Sequence, residues 1–284
     1  MMPNQRREGG FALLAALAAC LLFAALAYQL IARSSASVAL AQAELDRAQL
    51  SAAADAGLVL AITGLTQPAD RGRWEIDART RSAEFRGIPL RITVEDERGK
   101  IPVNLLDERQ VERMFEAAGA DRRQRAILTD SFLDWRDDDD LQRINGAETR
   151  DYAQLGYRAR NGALRGVEEL ARLRGMTPAI YARLAPACTV FFGESGGFSI
   201  RNAQPLALDV MAGFARGSPA VEDRRRELSG QAPLATRATI ESYVGRPLTI
   251  RIEARGSRGT RLRRATVVEL TGLPGRPVLI RARL

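Results

Sequence analysis

The chain contains no histidine and only two cysteines among its 284 residues. Without imidazole, the usual general base near neutral pH and the commonest metal ligand are both missing. A Ser-His-Asp triad and a Cys/His zinc site are therefore excluded. Cys20 lies in an apolar run near the start and Cys188 far downstream, so no internal disulfide is expected. Lys100 is the only lysine. An enzyme made from this chain would have to work with carboxylates, Lys100, tyrosine or serine, which favours a non-enzymatic protein. The net charge of +8 is almost wholly arginine, dense at Arg122–Arg125, Arg224–Arg226 and Arg258–Arg264. A field of that sign attracts nucleic acid or anionic lipid. Acidic residues interleave nearly everywhere, which favours a solvated surface of mixed charge.

Charge is also absent from Phe11 to Ala32, where Gln29 is the only strongly polar residue. As a helix this run spans roughly 33 Å, enough to cross the hydrocarbon core of a bilayer. Arg6 and Arg7 precede it, so the positive-inside bias keeps the short N-terminus in the cytoplasm and exports the rest of the chain. Three fates are open to this segment. A secretory signal peptide would have an overlong apolar core, with Ala39-Leu40-Ala41 as a cleavage candidate. A plain anchor needs nothing more. The junction of a basic leader, Gly10 and then Phe11 resembles the type IV pilin and pseudopilin signal, cut between that Gly and Phe. Ala15 then stands fifth in the mature chain, where major pilins resemble one another in carrying Glu.

The helical pattern continues from Arg33 to about Thr63, with Val38, Leu45, Ala52 and Val59 recurring at sevens. Gly64 and Pro68 end it. A single helix from Phe11 would be roughly 80 Å long; a break near Arg33-Ser34-Ser35 is the alternative. Trp74–Ile76, Glu84–Arg86 and Leu90–Val94 read as short strands. From Lys100 to Ala187 the pattern is helical again, in short segments stopped by Gly119, Gly175 and Pro186. Leu248–Ala254, Arg261–Leu270 and Pro277–Arg283 then read as an antiparallel meander with one arginine-rich face. The expected fold class is α+β, a pilin-like fold in which a long N-terminal transmembrane helix packs on an antiparallel sheet that carries an inserted all-helical domain. The boundaries are a leader at 1–10, the transmembrane and packing helix at 11–63, the first part of the pilin domain at 64–99, the insertion at 100–187 with two small helical modules, and the rest of the pilin domain at 188–284.

One stretch of the insertion looks chemical. Asp134-Trp135-Arg136-Asp137-Asp138-Asp139-Asp140 is followed by Gly146-Ala147-Glu148 and Asp151-Tyr152. Carboxylates at this density repel unless solvent or a cation relieves them. Oxygen-only ligands suit a hard cation, Ca²⁺ before Mg²⁺. With Asp137 as position one of a twelve-residue loop, Asp139 falls at three and Glu148 at twelve, as in an EF-hand. Leu141 and Gln142 at five and six break that motif. A carboxylate cage for Ca²⁺ and a merely solvated acidic loop both remain open; a two-metal nuclease centre lacks an orienting His or Lys. Further on, Val167–Pro186 resembles a helix-hairpin-helix around Gly175, a module that often holds DNA phosphates on turn amides. Pro178 removes one such amide, which favours a structural or protein-binding use.

Taken in order, these motifs resemble the K-type minor pseudopilin family of the type II secretion system. The likeness runs through Gly10/Phe11, Asp96–Asn104, Asp134–Asp139, Gly146-Ala147-Glu148 with Tyr152, Glu168-Glu169-Leu170 with Gly175-Met176-Thr177, and Ile200–Ala203. Absence of Glu at the fifth mature position, here Ala15, is itself a K-type trait. The resemblance implies a non-enzymatic subunit at the tip of the pseudopilus, initiating or capping its assembly. It implies I- and J-type minor pseudopilins as partners along Val38, Leu45 and Ala52, with H-type and major pseudopilins also expected. It further implies a prepilin peptidase that cuts and methylates at Gly10–Phe11, a single-pass inner-membrane location with the bulk in the periplasm, and no nucleic acid. A structural Ca²⁺ is implied, with Asp137, Asp139, Asp140 and Glu148 as candidate ligands. Two departures stand out: Arg201 where a typical member has Asn, and Cys188 without the partner cysteine that some members have. The rival of a different class is a membrane-anchored helix-hairpin-helix DNA-binding protein of a competence or type IV pilus system.

Overall fold

The computed structural model describes residues 8–193, 197–212, 218–232, 242–257 and 259–284, with side chains of the first helix described at 13–29 and from 37 onward. That helix, α1 (Glu8–Thr66), is continuous over 59 residues, or about 88 Å, so the break considered near Arg33 does not occur. It has two characters. Leu13, Leu17, Leu21, Phe23 and Tyr28 are all exposed in the first half. The second half, Ser37–Thr66, is by composition also apolar and long enough to cross a membrane, yet 39% of its 18-residue apolar stretch is buried within the protein. Burial against protein makes the second half a packing helix, whereas residues 13–29 of the first half are exposed throughout.

The packing half lies on a five-stranded antiparallel sheet. β1 (Thr80–Phe85) and β2 (Ile88–Asp96) form a hairpin turned at Arg86-Gly87, both at positive φ, as a two-residue turn requires. The chain then leaves the sheet at Glu97. A two-residue β3 (Ile101–Pro102) leads into α2 (Glu108–Ala117), α3 (Arg122–Arg136), α4 (Thr149–Ala153) and α5 (Pro178–Leu184). β4 (Cys188–Thr189) returns parallel to β3 and closes this excursion. α6 (Pro205–Met211) and α7 (Pro219–Leu228) come next, before β5 (Pro247–Arg255), β6 (Arg261–Leu273) and β7 (Arg276–Arg283) complete the sheet in the order β1-β2-β5-β6-β7. The insertion is therefore a detour between neighbouring strands β2 and β5.

Leu50, Ala53, Ala54, Leu58 and Ala61 of α1 pack on Leu90, Ile92 and Val94 of β2 and Ile250, Ile252 and Ala254 of β5. Small residues bring helix and sheet close. At Gly57 an added Cβ would stand 3.2 Å from the Ile252 Cγ2. Val38, Leu45, Ala52 and Val59, the heptad stripe, all stay exposed. Trp74–Ile76, expected as a strand, is irregular: the Trp74 N–H donates to the Gly64 carbonyl at 2.9 Å and the indole covers Gly64. Gly64 is thereby kept inside α1, which runs on to Thr66.

The helical module has its own core of Phe115, Leu128, Phe132, Trp135, Leu170 and Leu184. Its helices start at Asp107, Asp121 and Thr177, whose side chains accept the free amides of the first turn. The segment Val167–Arg172, expected as an α-helix, is a 3₁₀ helix. α6 lies beyond Ala187, in the part assigned to the pilin domain, and its Ala207 and Val210 belong to this helical core.

Module and sheet meet at the exit from β2. Glu97 is buried, and its Oε1 accepts from Lys100 Nζ at 2.6 Å and from Thr249 of β5 at 2.6 Å. Its Oε2 accepts from Thr189 of β4 at 2.5 Å. Lys100 also pairs with Glu95 at 3.0 Å. Burial works against the Glu95 charge, yet Lys100 and Arg251 hold its carboxyl below the usual range. Asp96 accepts from the Arg98 amide, the Asn202 side chain and Arg246, each at 2.9 Å. Burial nonetheless pushes its carboxyl up. Gly99 passes under Asn202 so closely that a Cβ would overlap the Asn202 carbonyl. Arg201, the departure noted in the sequence, is exposed, while Asn202 makes the contacts. Removing one partner of a buried ion pair typically costs about 3–5 kcal/mol. Lys100→Met should therefore lower unfolding stability by about that amount in a denaturant titration, whereas the exposed Arg79→Met should change it by less than about 1 kcal/mol.

Candidate metal centre

α3 delivers the acidic run. Its last turn buries Phe132 and Trp135 in the module core, and the helix ends at Asp137, whose N–H donates to the Leu133 carbonyl. Asp134 is on the same turn and is also fully buried. Its carboxylate accepts the Arg143 amide at 3.2 Å and faces the Arg143 guanidinium at 3.6 Å. The loop from 137 to 148 is thus folded back over α3. Gly146 is required there, because a Cβ would overlap the Asp134 carboxylate. The Gly146 carbonyl accepts from Gln142 at 2.8 Å and from Arg174 at 2.9 Å, and Asn145 donates twice to Asp130. Glu148 then opens α4, with its own N–H donating to Asp151 at 3.0 Å.

The aromatic floor fixes this geometry. Tyr152 meets Trp135 edge to face at 5.0 Å and stacks on Tyr157 at 5.4 Å. The Trp135 indole N–H donates to Glu169 at 3.0 Å, and Arg160 pairs with the same carboxylate. This is the role of the Glu168-Glu169-Leu170 motif: Glu169 satisfies a buried indole that would otherwise lack an acceptor. The Tyr152 hydroxyl accepts the Arg174 N–H, and burial pushes its phenol up to about 12.

Three of the four candidate ligands converge. One carboxylate oxygen each from Asp137, Asp139 and Glu148 lies within 4.8 Å of the others. Oxygens bound to one Ca²⁺ at about 2.4 Å can stand no more than about 4.8 Å apart, so this set fits a single ion. Asp140 is not in the group; its Oδ1 accepts from the Asn161 side chain at 3.0 Å. Asn161 holds positive φ and also bonds the Asp139 carbonyl, so it shapes the loop from outside. Asp134 opens the acidic stretch read from the sequence but was not assigned this part, and Asn161 was not singled out, since both roles depend on a fold-back that spacing does not encode.

The centre is electrostatically incomplete on its own. Both Glu148 carboxylate oxygens and Asp137 Oδ1 are buried without a hydrogen-bond partner. Such groups are costly unless a cation or donor meets them. Burial, then Asp134, Asp137 and Asp140, push the Glu148 carboxyl up to about 7. Asp137 is raised as well, by burial and by Asp139. Orphaned oxygens on a hard-ligand set are what a divalent cation would satisfy. The hairpin at Gly175 has a different environment. Its carbonyl accepts from Gln124 at 3.0 Å, and the glycine packs on Ile127 of α3.

Residues 92–193, from β2 through β4, match the family described as type II secretion system (T2SS), protein K. The chain is 29% identical over 137 residues to the type II secretion system protein K of Klebsiella pneumoniae, covering 48% of this chain and 42% of that one. It is 27% identical over 127 residues to the protein of the same name from Dickeya chrysanthemi, covering 45% and 35%. The match thus spans less than half the length of these curated relatives. The fold is similar to a chain in the crystal structure of the GspK-GspI-GspJ complex from the enterotoxigenic Escherichia coli type 2 secretion system. The TM-score is 0.61 at 12% identity, over 86% of this chain and 98% of that one. The resemblance drawn from the sequence motifs is borne out, and so is the α+β class.

A raised carboxyl means the metal-free fold binds the Glu148 proton more tightly than the unfolded chain does. Its contribution is therefore present below the ordinary Glu range and is lost as pH rises through about 7. A cation that needs the charged form reverses this slope. Calcium should raise the melting temperature at pH 8 by several degrees and progressively less as pH falls below about 7, with EDTA reversing the rise. Glu148→Gln should abolish the calcium-dependent shift; a full shift in that variant would remove Glu148 from the site.

Proposed function

We propose that this protein is a minor pseudopilin of a type II secretion system, placed at the tip of the pseudopilus, where it initiates or caps assembly. The observation that carries this reading is the helical module with its converging carboxylates, inserted between β2 and β5 of a sheet borne on α1. The match at 92–193 covers that module and its joint to the sheet. The work done is structural. α1 anchors the chain in the inner membrane through its first half and presents the rest to the periplasm.

The partners fit an exposed stripe. Val38, Leu45 and Val59 are 61%, 53% and 63% exposed, and Ala52 lies between them on α1. An apolar stripe at heptad spacing suits the helix of another pilin-like subunit. A solved relative is named for its complex with GspI and GspJ, and I- and J-type minor pseudopilins are the partners we assign here. H-type and major pseudopilins would stack below the tip, and a prepilin peptidase would cut and methylate at Gly10–Phe11. Ca²⁺ would be held by Asp137, Asp139 and Glu148, supplying the charge that holds the loop 137–148 on α3. The DNA-binding alternative is disfavoured, because the Gly175 turn is engaged with Gln124 and Ile127.

Leu45→Arg should reduce co-purification of the full chain with I- and J-type subunits at least about tenfold while leaving the melting temperature within about 2 °C, since the side chain is exposed. Unchanged capture would move the interface elsewhere. Gly10→Ala should leave the leader attached, seen as a mass about ten residues heavier by intact mass spectrometry. Tight, salt-sensitive binding of duplex DNA in a mobility shift would overturn the pseudopilus reading.

A further inference from the structure

Asn-Gly occurs twice in the chain, as Asn145-Gly146 and Asn161-Gly162, each followed by alanine. The fold brings both asparagines to the acidic stretch, where each one holds an aspartate. Asn145 donates its backbone and side-chain amides to Asp130 Oδ2, at 3.0 and 2.9 Å. Asn161 donates its side-chain NH₂ to the Asp139 carbonyl at 2.9 Å and to Asp140 Oδ1 at 3.0 Å. An asparagine before glycine is chemically vulnerable. The backbone nitrogen that follows can reach the side-chain carbonyl carbon by closing a five-membered ring, and glycine has no Cβ to hinder it.

The two sites differ at the attacking nitrogen. Gly146 is locked: its N–H donates to the Arg143 carbonyl at 3.0 Å, it is buried, and a Cβ there would overlap the Asp134 carboxylate. Turning that peptide toward Asn145 would mean unpacking the loop from α3. Gly162 has none of these restraints. Its N–H reaches only the Trp135 carbonyl at 3.5 Å, beyond the usual range of about 2.7–3.2 Å. It is half-buried, and nothing stands within 4 Å of where a Cβ would be. Asn161 is also held differently. Its φ of 47° lies in the left-handed region, which is sparsely populated outside glycine. Its Oδ1 is buried without a hydrogen-bond partner, so the side chain is fastened only through the NH₂.

We propose that Asn161 is a site of spontaneous deamidation in the folded protein, that Asn145 is protected from it, and that the reaction unfastens the acidic loop. The Gly162 amide nitrogen gives up its proton to solvent and attacks the Asn161 Cγ. As the new N–Cγ bond closes a succinimide, the Cγ–Nδ2 bond breaks, and the departing nitrogen takes a proton from solvent and leaves as ammonia. Water then opens the ring at either carbonyl, giving aspartate or its β-linked isomer, with nothing oxidised or reduced. The NH₂ that donated to Asp139 and Asp140 is replaced by a carboxylate oxygen, which can only accept. Both contacts become repulsive, and one more negative charge joins the run Asp137–Asp140.

The test incubates the full chain in detergent micelles at weakly alkaline pH and follows both asparagines by peptide mass mapping. EDTA is present throughout, so the outcome is independent of the calcium reading. Asn161 should convert at least about tenfold faster than Asn145 in the folded chain, and within about twofold of it once the chain is unfolded in urea. Gly162→Ala should slow conversion of Asn161 at least about tenfold, since the added methyl meets open space in the fold and shields the nitrogen. Conversion of Asn145 at an equal or higher rate overturns the proposal. So does a folded chain in which neither residue converts while the unfolded chain does. An unchanged rate in Gly162→Ala would mean direct hydrolysis by water and also overturn it. Asn161→Asp, the product made by substitution, should speed amide hydrogen exchange at 138–143 at least about fivefold while β2 and β5 stay unchanged, which shows the variant is folded. Loop exchange equal to that of the parent chain would sink the claim that the reaction unfastens the loop.

Discussion

Glu97 and Lys100 hold opposite charges 2.6 Å apart in the interior, where the chain leaves the sheet and enters the helical module. Desolvating a carboxylate and an ammonium costs several kcal/mol each, so such a pair persists only when its remaining valences are met. Here Thr249 from β5, Thr189 from β4 and Glu95 from β2 meet them. Each partner belongs to a different element, so the pair is complete only when module and sheet are docked. Asp96 repeats the device one residue earlier with Arg246 and Asn202. Gly99 permits it, because any side chain there would push Asn202 away. The motif Asp96–Asn104 is thus a joint.

Everything distal inherits its orientation from that joint. β3 and β4 leave it side by side and set the base of the module, and Arg136, at the end of α3, donates to the Val103 carbonyl just beyond β3 at 3.1 Å. Past the end of α3 the logic is inverted. At the joint every buried charge has a partner within the protein. In the loop at 137–148, both Glu148 carboxylate oxygens and Asp137 Oδ1 are buried without a hydrogen-bond partner. One buried network makes a rigid connection from the chain alone; the other leaves carboxylate oxygens unsatisfied.

α1 divides its labour along its length in the same way. Exposed leucines and phenylalanine occupy the first half, small residues pack the second on the sheet, and Leu45, Ala52 and Val59 of the heptad stripe are exposed outside that packing. Gly57 and the alanines around it are what let a helix lie this close to β5. The stripe of Val38, Leu45 and Val59 adds nothing to the fold, so its apolar character has to be explained by another surface.

Local pattern made several elements legible. The uncharged run at 11–32 and the strict alternation of Leu90–Val94 each arise from short-range rules that the fold obeys. The density of carboxylates at 134–140 left a cation cage and a solvated loop both open, with Asp137, Asp139 and Glu148 at positions one, three and twelve of the loop; the structure brings one oxygen of each of these three together. Spacing could not separate Asp140, which is adjacent in sequence but turned to Asn161, nor find Asp134, whose part is to hold the loop from beneath. Trp74–Ile76 has strand-like composition, yet Trp74 is spent covering Gly64. The helices after Ala187 were missed because α6 joins a core built mostly by residues before it. Periodicity, composition and spacing determine which segments are apolar, helical or acidic, because these are properties of neighbours in the chain. Which carboxylates meet, which charges are paired and which apolar stripe is left bare depend on contacts between segments as far apart as Glu97 and Thr249, and only the tertiary structure decides them.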